Sequence, residues 1–569
     1  MSMFEPRESY RRVFFSDATN ALMLRTRIVG LSNTAQSLID KLARRVAASE
    51  AALGEAREDT RNIIRTFEQY VEDGVCILGS PLLTNIAAER LTLASCTAVP
   101  LDMHDISFPK LGVAENYYNL NMGSGYNLDR FDNPVDALLT LNSHAKHLEK
   151  AGSCERYIGN IAHVGIAHPA VIEFAQAKTT HLGLKHFNIS IDLSEAFMEA
   201  VASNGSYILR NGNLVSAVKL WDIIVQNAWT CGDPGLISLH RFNADNSVAA
   251  TSPYTTTAPC AEVGLANGES CVFGYINLAA CLRWKDGKLD IDLEQLGSVT
   301  ECLTRVLDDC VTNSLSHFPT PTSNDVMASN RKIGIGVCGF ADSLLWIGLD
   351  YGSDESCALL RAALSTITFR SKHASMELAA RRGAFPQFLA SRYANDPAYV
   401  VRFAPHSSGI DERHWRKLAE DVARFGLRNT MTTAIPPSGR TSLLLGVNAS
   451  IEPMLDHHTL VRSMPIRTLT ESGNVRTVGT EKDIEVDDSA KCPTWPRRTA
   501  SSRSMFRTAT ALTVSEHISV LATACKLVDD GVSKTVNLAS SAGVTDVDAA
   551  FKGAWNAGLK AISVYRAQN

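Results

Sequence analysis

The chain has 569 residues, of which 45% are hydrophobic and 20% charged, so it can bury a large core in several domains or in one large α/β barrel. This balance excludes disorder, collagen and a coiled coil as descriptions of the whole chain. A formal charge of −5, from 55 basic and 60 acidic residues, argues against a nucleic-acid partner.

The first predicted unit is a helical N-terminal region at residues 1–75, because Ala, Leu, Glu and Arg recur at helical spacing in residues 38–74. Residues 1–10 are charged and lack the apolar core of a signal peptide. No apolar run in the chain reaches the roughly 18 residues of a membrane span. We therefore expect a cytoplasmic protein without a membrane partner.

The second predicted unit covers residues 76–569, where short apolar runs broken by Gly, Pro, Ser and Asn alternate with helical stretches. Alternation of strands and helices over this length indicates the α/β class with parallel strands. Residues 470–510 are polar and show little periodicity, so they are predicted to be a surface insertion.

The chain contains thirteen cysteines, an odd number without a secretion signal, so a disulfide scaffold is not expected. No CxxC pair occurs, which removes the commonest zinc spacings, and no metal site is predicted. Most of the cysteines are interpreted as small buried hydrophobic residues.

The segment 251–282 is the densest in reactive residues. Cys260 and Glu262 lie two apart, so in an extended loop their side chains project to the same side. A carboxylate raises the pKa of a neighbouring thiol, which suits a thiol that reacts as S–H or as a sulfur radical while the carboxylate moves protons. Cys271 follows in a Gly-flanked turn, and Cys96 lies far upstream in the sequence LASC.

Two further motifs are candidates for binding. Small hydroxyl residues with free N–H groups at a helix start can cradle phosphate, and an arginine adds charge. The first motif has this composition: Pro437, Ser438, Gly439, Arg440, Thr441 and Ser442. A simple capped turn is the alternative interpretation. The second, GSGYNLDR at residues 123–130, is a glycine-rich turn that could contact a nucleotide but lacks the third glycine of a dinucleotide fingerprint.

Together these segments resemble the catalytic subunit of ribonucleotide reductase, most closely its adenosylcobalamin-dependent class. The resemblance covers residues from about 75 to 566 and rests on many blocks in the family's order. Besides the motifs above, the blocks are SPLLTN…LASC (80–96), RYIGNIAHVGIAHPAVIEF (156–174), LKHFNISIDLSEAFMEAV (184–201), AWTCGDPGLISLHRFN (228–243), RKIGIGVCGFADSLLWIGLDYGS (331–353), SKTVNL (533–538) and AWNAGLKAISVYR (554–566).

The resemblance implies a ten-stranded α/β barrel with a central finger loop, so that residues 76–569 form the catalytic barrel. Cys260 would stand at the loop tip as the thiyl radical that abstracts the substrate's 3′ hydrogen. Cys96 and Cys271 would supply two electrons and end as a disulfide, and Glu262 would take the 3′-hydroxyl proton. The PSGRTS motif would hold the substrate phosphates, with Ser95 beside the ribose and Arg156 in the substrate-specificity loop.

The implied activity is reduction of ribonucleoside di- or triphosphates to 2′-deoxyribonucleotides for DNA synthesis. An external dithiol such as thioredoxin would re-reduce the enzyme, and both a monomer and a homodimer stay open. The metal-dependent class uses two adjacent tyrosines, where this chain has Ser563, Val564 and Tyr565, which favours adenosylcobalamin as cofactor. The alternatives are a metal-dependent catalytic subunit with a radical-generating partner, or a nucleotide-binding paralog with altered or lost activity.

Four departures from the family pattern are visible. Ala258 stands where the family usually has an Asn that orients the substrate hydroxyls, and this supports the paralog alternative. The chain ends at Asn569 without a cysteine-bearing tail, so an external thiol or a tail on another polypeptide is expected to reach the site. A short spacing before residue 156 predicts reduced allosteric choice among bases, and no ATP-cone signature is visible in residues 1–75.

Overall fold

The computed structural model describes residues 35–100, 111–151, 158–396, 398–455 and 507–567, with the backbone of four strands between residues 458 and 487. The predicted site residue Arg156 lies outside these residues, as do residues 1–34 of the predicted helical region. Within the predicted insertion at 470–510, only two strands and residues 507–510 are described, so its surface position stays a prediction.

Helices occur throughout the described part of the chain, and several are only one or two turns long. The α-helices are α1 (Ala35–Ala52), α2 (Arg57–Glu72), α3 (Ser80–Ala87), α4 (Gly112–Tyr118), α5 (Pro134–Ala151), α6 (Val171–Ala175), α7 (Ala177–Thr180), α8 (Glu195–Ala202), α9 (Ala217–Cys231), α10 (Leu239–Ala244), α11 (Leu293–Ser314), α12 (Pro321–Asn330), α13 (Phe340–Ile347), α14 (Asp354–Arg382), α15 (Arg392–Asn395), α16 (Ala398–Val401), α17 (Glu412–Phe425), α18 (Gly439–Leu445), α19 (Val514–Cys525) and α20 (Val544–Asn556). Short 3₁₀ helices lie at Leu278–Cys281, Phe388–Ala390, Ala404–His406 and Ala509–Ala511. Among the helices described, none is both long enough and apolar enough to cross a membrane.

Strands alternate with these helices. They are β1 (Cys76–Leu78), β2 (Cys96–Ala98), β3 (Gly123–Asn127), β4 (Asn160–Gly165), β5 (Phe187–Asp192), β6 (Ser206–Ile208), β7 (Leu214–Ser216), β8 (Gly235–Ile237), β9 (Thr256–Thr257), β10 (Gly264–Leu265), β11 (Ser270–Asn277), β12 (Leu282–Lys285), β13 (Lys288–Ile291), β14 (Ile333–Cys338), β15 (His458–Val461), β16 (Pro465–Leu469), β17 (Val475–Thr480), β18 (Ile484–Asp487), β19 (Thr535–Leu538) and β20 (Ala561–Arg566).

Ten strands form the main sheet. One end of the sheet is built around β11, which pairs with β1, β2 and β14. From β2 the order continues through β3, β4, β5, β8, β20 and β19. The eight residues of β11 are all buried, as are the six of β14, because helices and loops cover both faces. This confirms the α/β class and the ten strands.

The strand directions and the closure differ from the expectation. The pairs β1–β11, β2–β11 and β8–β20 are antiparallel, so the sheet is mixed and not wholly parallel. Hydrogen bonding also leaves the ten-stranded sheet open in the described residues, which shows no closed barrel. Residues 433–435 lie between β14 and the segment that leads into β19. In the described structure they make two isolated parallel bridges, Thr433 with Ile335 of β14 and Ile435 with Val532.

The helices at the start of the described chain are attached to the rest of the fold by a buried network of ion pairs. Glu50 in α1 is completely buried and accepts hydrogen bonds from Arg305 of α11 and Arg382 of α14. The Arg382 guanidinium also lies 3.2 Å from Asp308 and 3.0 Å from Asp309. Burial alone would raise the pKa of Glu50, but Arg305 and Arg382 lower it to about 2. One arginine therefore neutralises carboxylates from two separate helices.

We expect Arg382→Met to lower the free energy of unfolding by roughly 3–5 kcal/mol, because the buried Glu50, Asp308 and Asp309 side chains lose a cation that they share. Arg413→Met is the matched control, since the Arg413 side chain is 90% exposed in its ion pair with Asp411. That control should change stability by at most about 1 kcal/mol. Urea unfolding followed by circular dichroism measures both variants, and equal midpoints for the two would contradict the expectation.

Candidate active site

Cys260 and Glu262 lie in a tight loop between the short antiparallel strands β9 and β10. The Ala258 N–H donates to Val263 O at 2.9 Å, and the Ala261 N–H donates to Ala258 O at 2.8 Å. Ala261 has a φ of 56°, so the chain turns here instead of running extended as expected from the sequence. The turn leaves Cys260 exposed at the loop tip and buries Glu262.

The loop packs closely against β3 because two residues of that strand have no side chain. A Cβ at Gly123 would lie 2.8 Å from Pro259 Cγ, and a Cβ at Gly125 would overlap the Thr257 carbonyl oxygen. Asn188 lies on β5, two strands from β3 in the sheet, and its side-chain amide donates to Pro259 O at 3.0 Å. The GSGYNLDR motif, interpreted from the sequence as a turn that contacts a nucleotide, therefore forms a strand and makes room for the cysteine loop.

Cys96 and Cys271 are directly opposite each other in the antiparallel pair β2–β11. Residues in this relation have Cβ atoms about 4.5–5.5 Å apart, close to the distance that a disulfide needs. Both cysteines are reduced in this structure. Burial raises the pKa of Cys271, the charge of Lys332 opposes the rise, and Cys96 and Glu262 add to it. Cys271 is therefore held as a protonated thiol, and two thiols that form a disulfide give up two electrons and two protons.

Tyr275 connects the reactive residues to the PSGRTS motif. It follows Cys271 by four positions on β11, so both side chains lie on the same face of the strand. Burial raises the Tyr275 pKa, and the charges of Glu262, Cys96 and Cys260 raise it further. The hydroxyl donates to Pro437 O at 2.9 Å. We did not predict this tyrosine, although the even spacing within the strand could have indicated it.

Glu262 has the properties of a proton acceptor. Burial raises its pKa to about 7; the backbone N–H groups of Glu262 and Cys260 oppose this rise, and the charge of Asp530 adds to it. In the described part of the chain its Oε2 atom is buried without a hydrogen-bond partner. A carboxyl group with this pKa can take up a proton and release it near neutral pH.

Ser95 lies beside the dithiol at the start of β2. Its N–H donates to Cys271 O at 2.8 Å, and the residue is buried. The hydroxyl oxygen has no hydrogen-bond partner among the residues described. Buried hydroxyls are normally satisfied, so this one is available to a water molecule or a bound ligand.

The PSGRTS motif begins helix α18, with Ser438 as its N-cap residue. The Ser438 hydroxyl accepts a hydrogen bond from the Ser450 N–H at 2.7 Å, and within the described structure it does not cap the helix. Thr441 and Ser442 are buried as well, and the Ser442 hydroxyl donates to Gly439 O at 3.2 Å. The three hydroxyl groups therefore face the protein, whereas Pro437, Gly439 and part of Arg440 face solvent.

Eleven of the twelve predicted site residues lie in the described segments of the chain, and Arg156 is the exception. Tyr275 connects Cys96, Cys260 and Glu262 to the PSGRTS motif, and Cys271 joins this group as the cross-strand partner of Cys96. No group of three or more His, Cys, Asp or Glu side chains suited to a metal ion occurs in the described part of the chain.

Comparison with known families agrees with this geometry. The ribonucleotide reductase barrel-domain model matches residues 129–565, more than three quarters of the chain. The chain belongs to the ribonucleotide reductase family.

Similar members of the family carry names that specify a cofactor. A vitamin B12-dependent ribonucleoside-diphosphate reductase of Mycobacterium tuberculosis is 32% identical over 560 residues, covering 93% of this chain and 75% of that protein. One of the same name from Thermoplasma acidophilum is 27% identical, covering 88% of this chain and 65% of its own length. A vitamin B12-dependent ribonucleotide reductase of Streptomyces coelicolor is 25% identical, covering 73% and 49%.

Gly125→Ala is expected to destabilise the protein by roughly 1–3 kcal/mol, because the added methyl group meets a backbone carbonyl that cannot move without the loop. Gly159→Ala is the matched control, since among described atoms nothing lies within 4 Å of a Cβ at that position. Thermal unfolding midpoints compare the two variants. A larger loss in the Gly159 variant would contradict the packing described here.

Mild oxidation of the purified protein is expected to join Cys96 to Cys271, because the two residues are cross-strand partners. Peptide mass spectrometry after treatment with diamide should detect this disulfide in the wild type and in a Cys310→Ser control, which changes a buried cysteine of α11. The disulfide should be missing in Cys271→Ser. Its absence from the oxidised wild type would show that the two sulfur atoms do not meet.

Proposed function

We propose that the chain reduces ribonucleotides to 2′-deoxyribonucleotides by thiyl-radical chemistry, with adenosylcobalamin as the radical source. The observation that supports this most is the cross-strand pair Cys96–Cys271, in which the charge of the buried Glu262 raises the pKa of Cys271. A dithiol, a separate exposed thiol and a carboxyl group with a pKa of about 7 are the groups that this reaction requires.

Each group takes one role in a balanced reaction. Cys260, as a thiyl radical, removes the 3′ hydrogen atom and later returns it. Glu262 accepts the proton of the 3′-hydroxyl group, and the 2′-hydroxyl group leaves as water. Cys96 and Cys271 supply two electrons and two protons and become a disulfide, so one ribonucleotide and one dithiol give one deoxyribonucleotide, one disulfide and one water molecule.

The residues present fit a bound radical cofactor. Cys260 is exposed at the loop tip, whereas Cys96 is only partly exposed and Cys271 and Glu262 are buried, so a large group can reach the Cys260 thiol. When bound, adenosylcobalamin supplies the radical that Cys260 carries. Cys260 is the residue that would face it, and the cofactor named for the similar enzymes of Mycobacterium and Streptomyces supports the assignment.

Substrate binding is assigned to the segments next to the dithiol. Ser95, with its buried hydroxyl oxygen, would contact the ribose. The phosphates would lie at residues 437–442, where the hydroxyl groups already face the protein, so backbone N–H groups and Arg440 would make the contacts. Arg156 would belong to the substrate-specificity loop. The names of the Mycobacterium and Thermoplasma relatives favour a diphosphate substrate.

A closed barrel and a two-part chain are also part of the proposal. The bridges of residues 433 and 435 to β14 and to Val532 support closure, since they connect the β14 edge to the segment that leads into β19. Residues 1–75 would be a helical region packed on a catalytic barrel of residues 76–569, with 470–510 as an insertion. Helices α1 and α2 support the first part.

We infer that a thioredoxin-like dithiol re-reduces the disulfide in the cytoplasm. The cross-strand pair Cys96–Cys271 becomes a disulfide in the proposed reaction, so a second dithiol has to restore it. A homodimer is the proposed assembly, and sedimentation velocity would measure it.

Two alternatives predict different cofactor requirements. A metal-dependent catalytic subunit would be inactive with adenosylcobalamin and active with a radical-generating partner; the single tyrosine at Tyr565, 54% exposed on β20, speaks against it. A paralog with lost activity would bind nucleotides without reducing them, and Ala258 is the residue that favours it.

An anaerobic assay with CDP, adenosylcobalamin and dithiothreitol is expected to form dCDP, measured by mass spectrometry, and to form none without the cofactor. Cys260→Ala should abolish turnover, and Glu262→Gln should lower kcat by roughly 10²–10⁴-fold. Cys310→Ala, at a buried position of α11, should keep wild-type activity. Equal product from the wild type and the Cys260 variant, or none from either under all conditions, would refute the proposal; Ala258→Asn then tests the paralog alternative.

A further inference from the structure

We propose that Asp530 is a positioning residue for Glu262: its carboxylate anchors the strand that follows Glu262 and stands beside it as a second buried acid. This inference rests on the proposed function, because Glu262 acts as a base only if the chain reduces ribonucleotides. Asp530 lies in the segment between α19 and β19, far in sequence from the loop that it contacts.

Two hydrogen bonds connect this segment to the loop on either side of Val263. The Gly264 N–H donates to Asp530 Oδ1 at 3.1 Å, and the Gly531 N–H donates to Glu262 O at 3.0 Å. The approach is close: a Cβ at Gly531 would lie 3.0 Å from Glu262 O. Residues 530 and 531 therefore fix the backbone from which the Glu262 side chain extends.

The cations near Asp530 are already paired with other carboxylates. Lys332 contacts Glu269 at 2.7 Å, and Lys560 contacts Asp245 at 2.7 Å while also donating to the backbone carbonyl of Asp530. In the described residues Asp530 Oδ2 forms no hydrogen bond of ordinary geometry. Among the described groups, both lysines near the Asp530 carboxylate thus form their ion pairs with other carboxylates.

The charge state of Asp530 follows from this arrangement. Burial raises its pKa to about 6, although Lys332, Lys560, the Gly264 N–H and the Tyr254 hydroxyl all lower it. The preceding residue, Asp529, contacts Lys372 at 2.8 Å and Arg402 at 3.6 Å, and its pKa is lowered despite burial. Two adjacent aspartates therefore differ in whether a cation is available to them.

The negative charge of Asp530 adds to the effect of burial and raises the pKa of Glu262. The other titratable groups that face Glu262 are Cys260 on its own loop and Cys271 and Tyr275 on β11. Burial keeps Cys271 and Tyr275 protonated at neutral pH, so Asp530 is the carboxyl group near Glu262 whose charge changes there. Its negative charge gives Glu262 the higher proton affinity that a proton acceptor needs.

Asp530→Asn removes the charge and keeps an oxygen that can accept the Gly264 N–H. We expect the Glu262 pKa to fall by about one unit in this variant. Infrared difference spectroscopy of the cofactor-free protein measures it from the carbonyl stretch of the protonated acid, and Glu262→Gln assigns the band. In the pH profile of kcat/KM, the rise with pH that reports deprotonation of Glu262 should move to lower pH by the same amount.

Asp530→Ala separates the anchoring from the charge, since it removes the acceptor as well. Amide hydrogen exchange at Gly264 should stay as slow as in the wild type for Asp530→Asn and become at least about tenfold faster for Asp530→Ala. Asp421→Asn, which breaks a surface ion pair with Lys417 on α17, is the matched control and should change neither measurement.

The outcomes separate this inference from the proposed function. A shifted Glu262 band in a protein that never reduces nucleotides would support the pair and refute the proposed function. An unchanged band and an unchanged pH profile in Asp530→Asn would overturn the charge effect. Unchanged exchange at Gly264 in Asp530→Ala would overturn the anchoring.

Discussion

The close packing of the Cys260 loop on β3 is the constraint on which the site depends. The loop can approach this strand only because Gly123 and Gly125 present hydrogen atoms where other residues have a Cβ. Asn188 and Gly531 then hold the loop through the carbonyl groups of Pro259 and Glu262. The result is a loop with an exposed tip, which carries the Cys260 thiol, and a buried base, which carries the Glu262 carboxyl group.

Strand β11 brings the remaining groups to that loop. Its first residues pair with β2, which sets Cys271 opposite Cys96, and its later residues pair with β14 in the core. Tyr275 follows Cys271 by four residues on the same face of the strand, and its hydroxyl group donates a hydrogen bond to Pro437 O. Burial along the whole strand keeps these thiol and phenol groups protonated, which is the state from which hydrogen atoms and protons are transferred. In this part of the molecule, burial of β11 therefore accounts both for the packing of the strand and for the protonation of its reactive side chains.

The sequence predicted the α/β class and the family, because a family pattern survives in the order of short motifs; the roles of the reactive residues stay a prediction. It did not predict how Cys260 and Glu262 are oriented, since a positive φ at Ala261 is not visible in an APCAE motif. The glycines of β3 were misinterpreted, because the same residue type serves ligand contacts and close backbone packing. Asp530 gave no signal at all, since its partner Gly264 is 266 residues away in the chain.

The departure at Ala258 concerns the substrate and not the loop. Both hydrogen bonds that shape the turn at this residue use its backbone: the N–H donates to Val263, and the carbonyl accepts from Ala261. Any residue supplies these atoms, so the geometry of Cys260 does not require the amide that the family usually has there. The Ala258 side chain is completely buried, so alanine in place of the usual Asn removes a buried polar group and leaves both backbone hydrogen bonds intact. Loss of turnover through Ala258 would therefore appear as weaker orientation of the nucleotide, with the thiol and the base still in place.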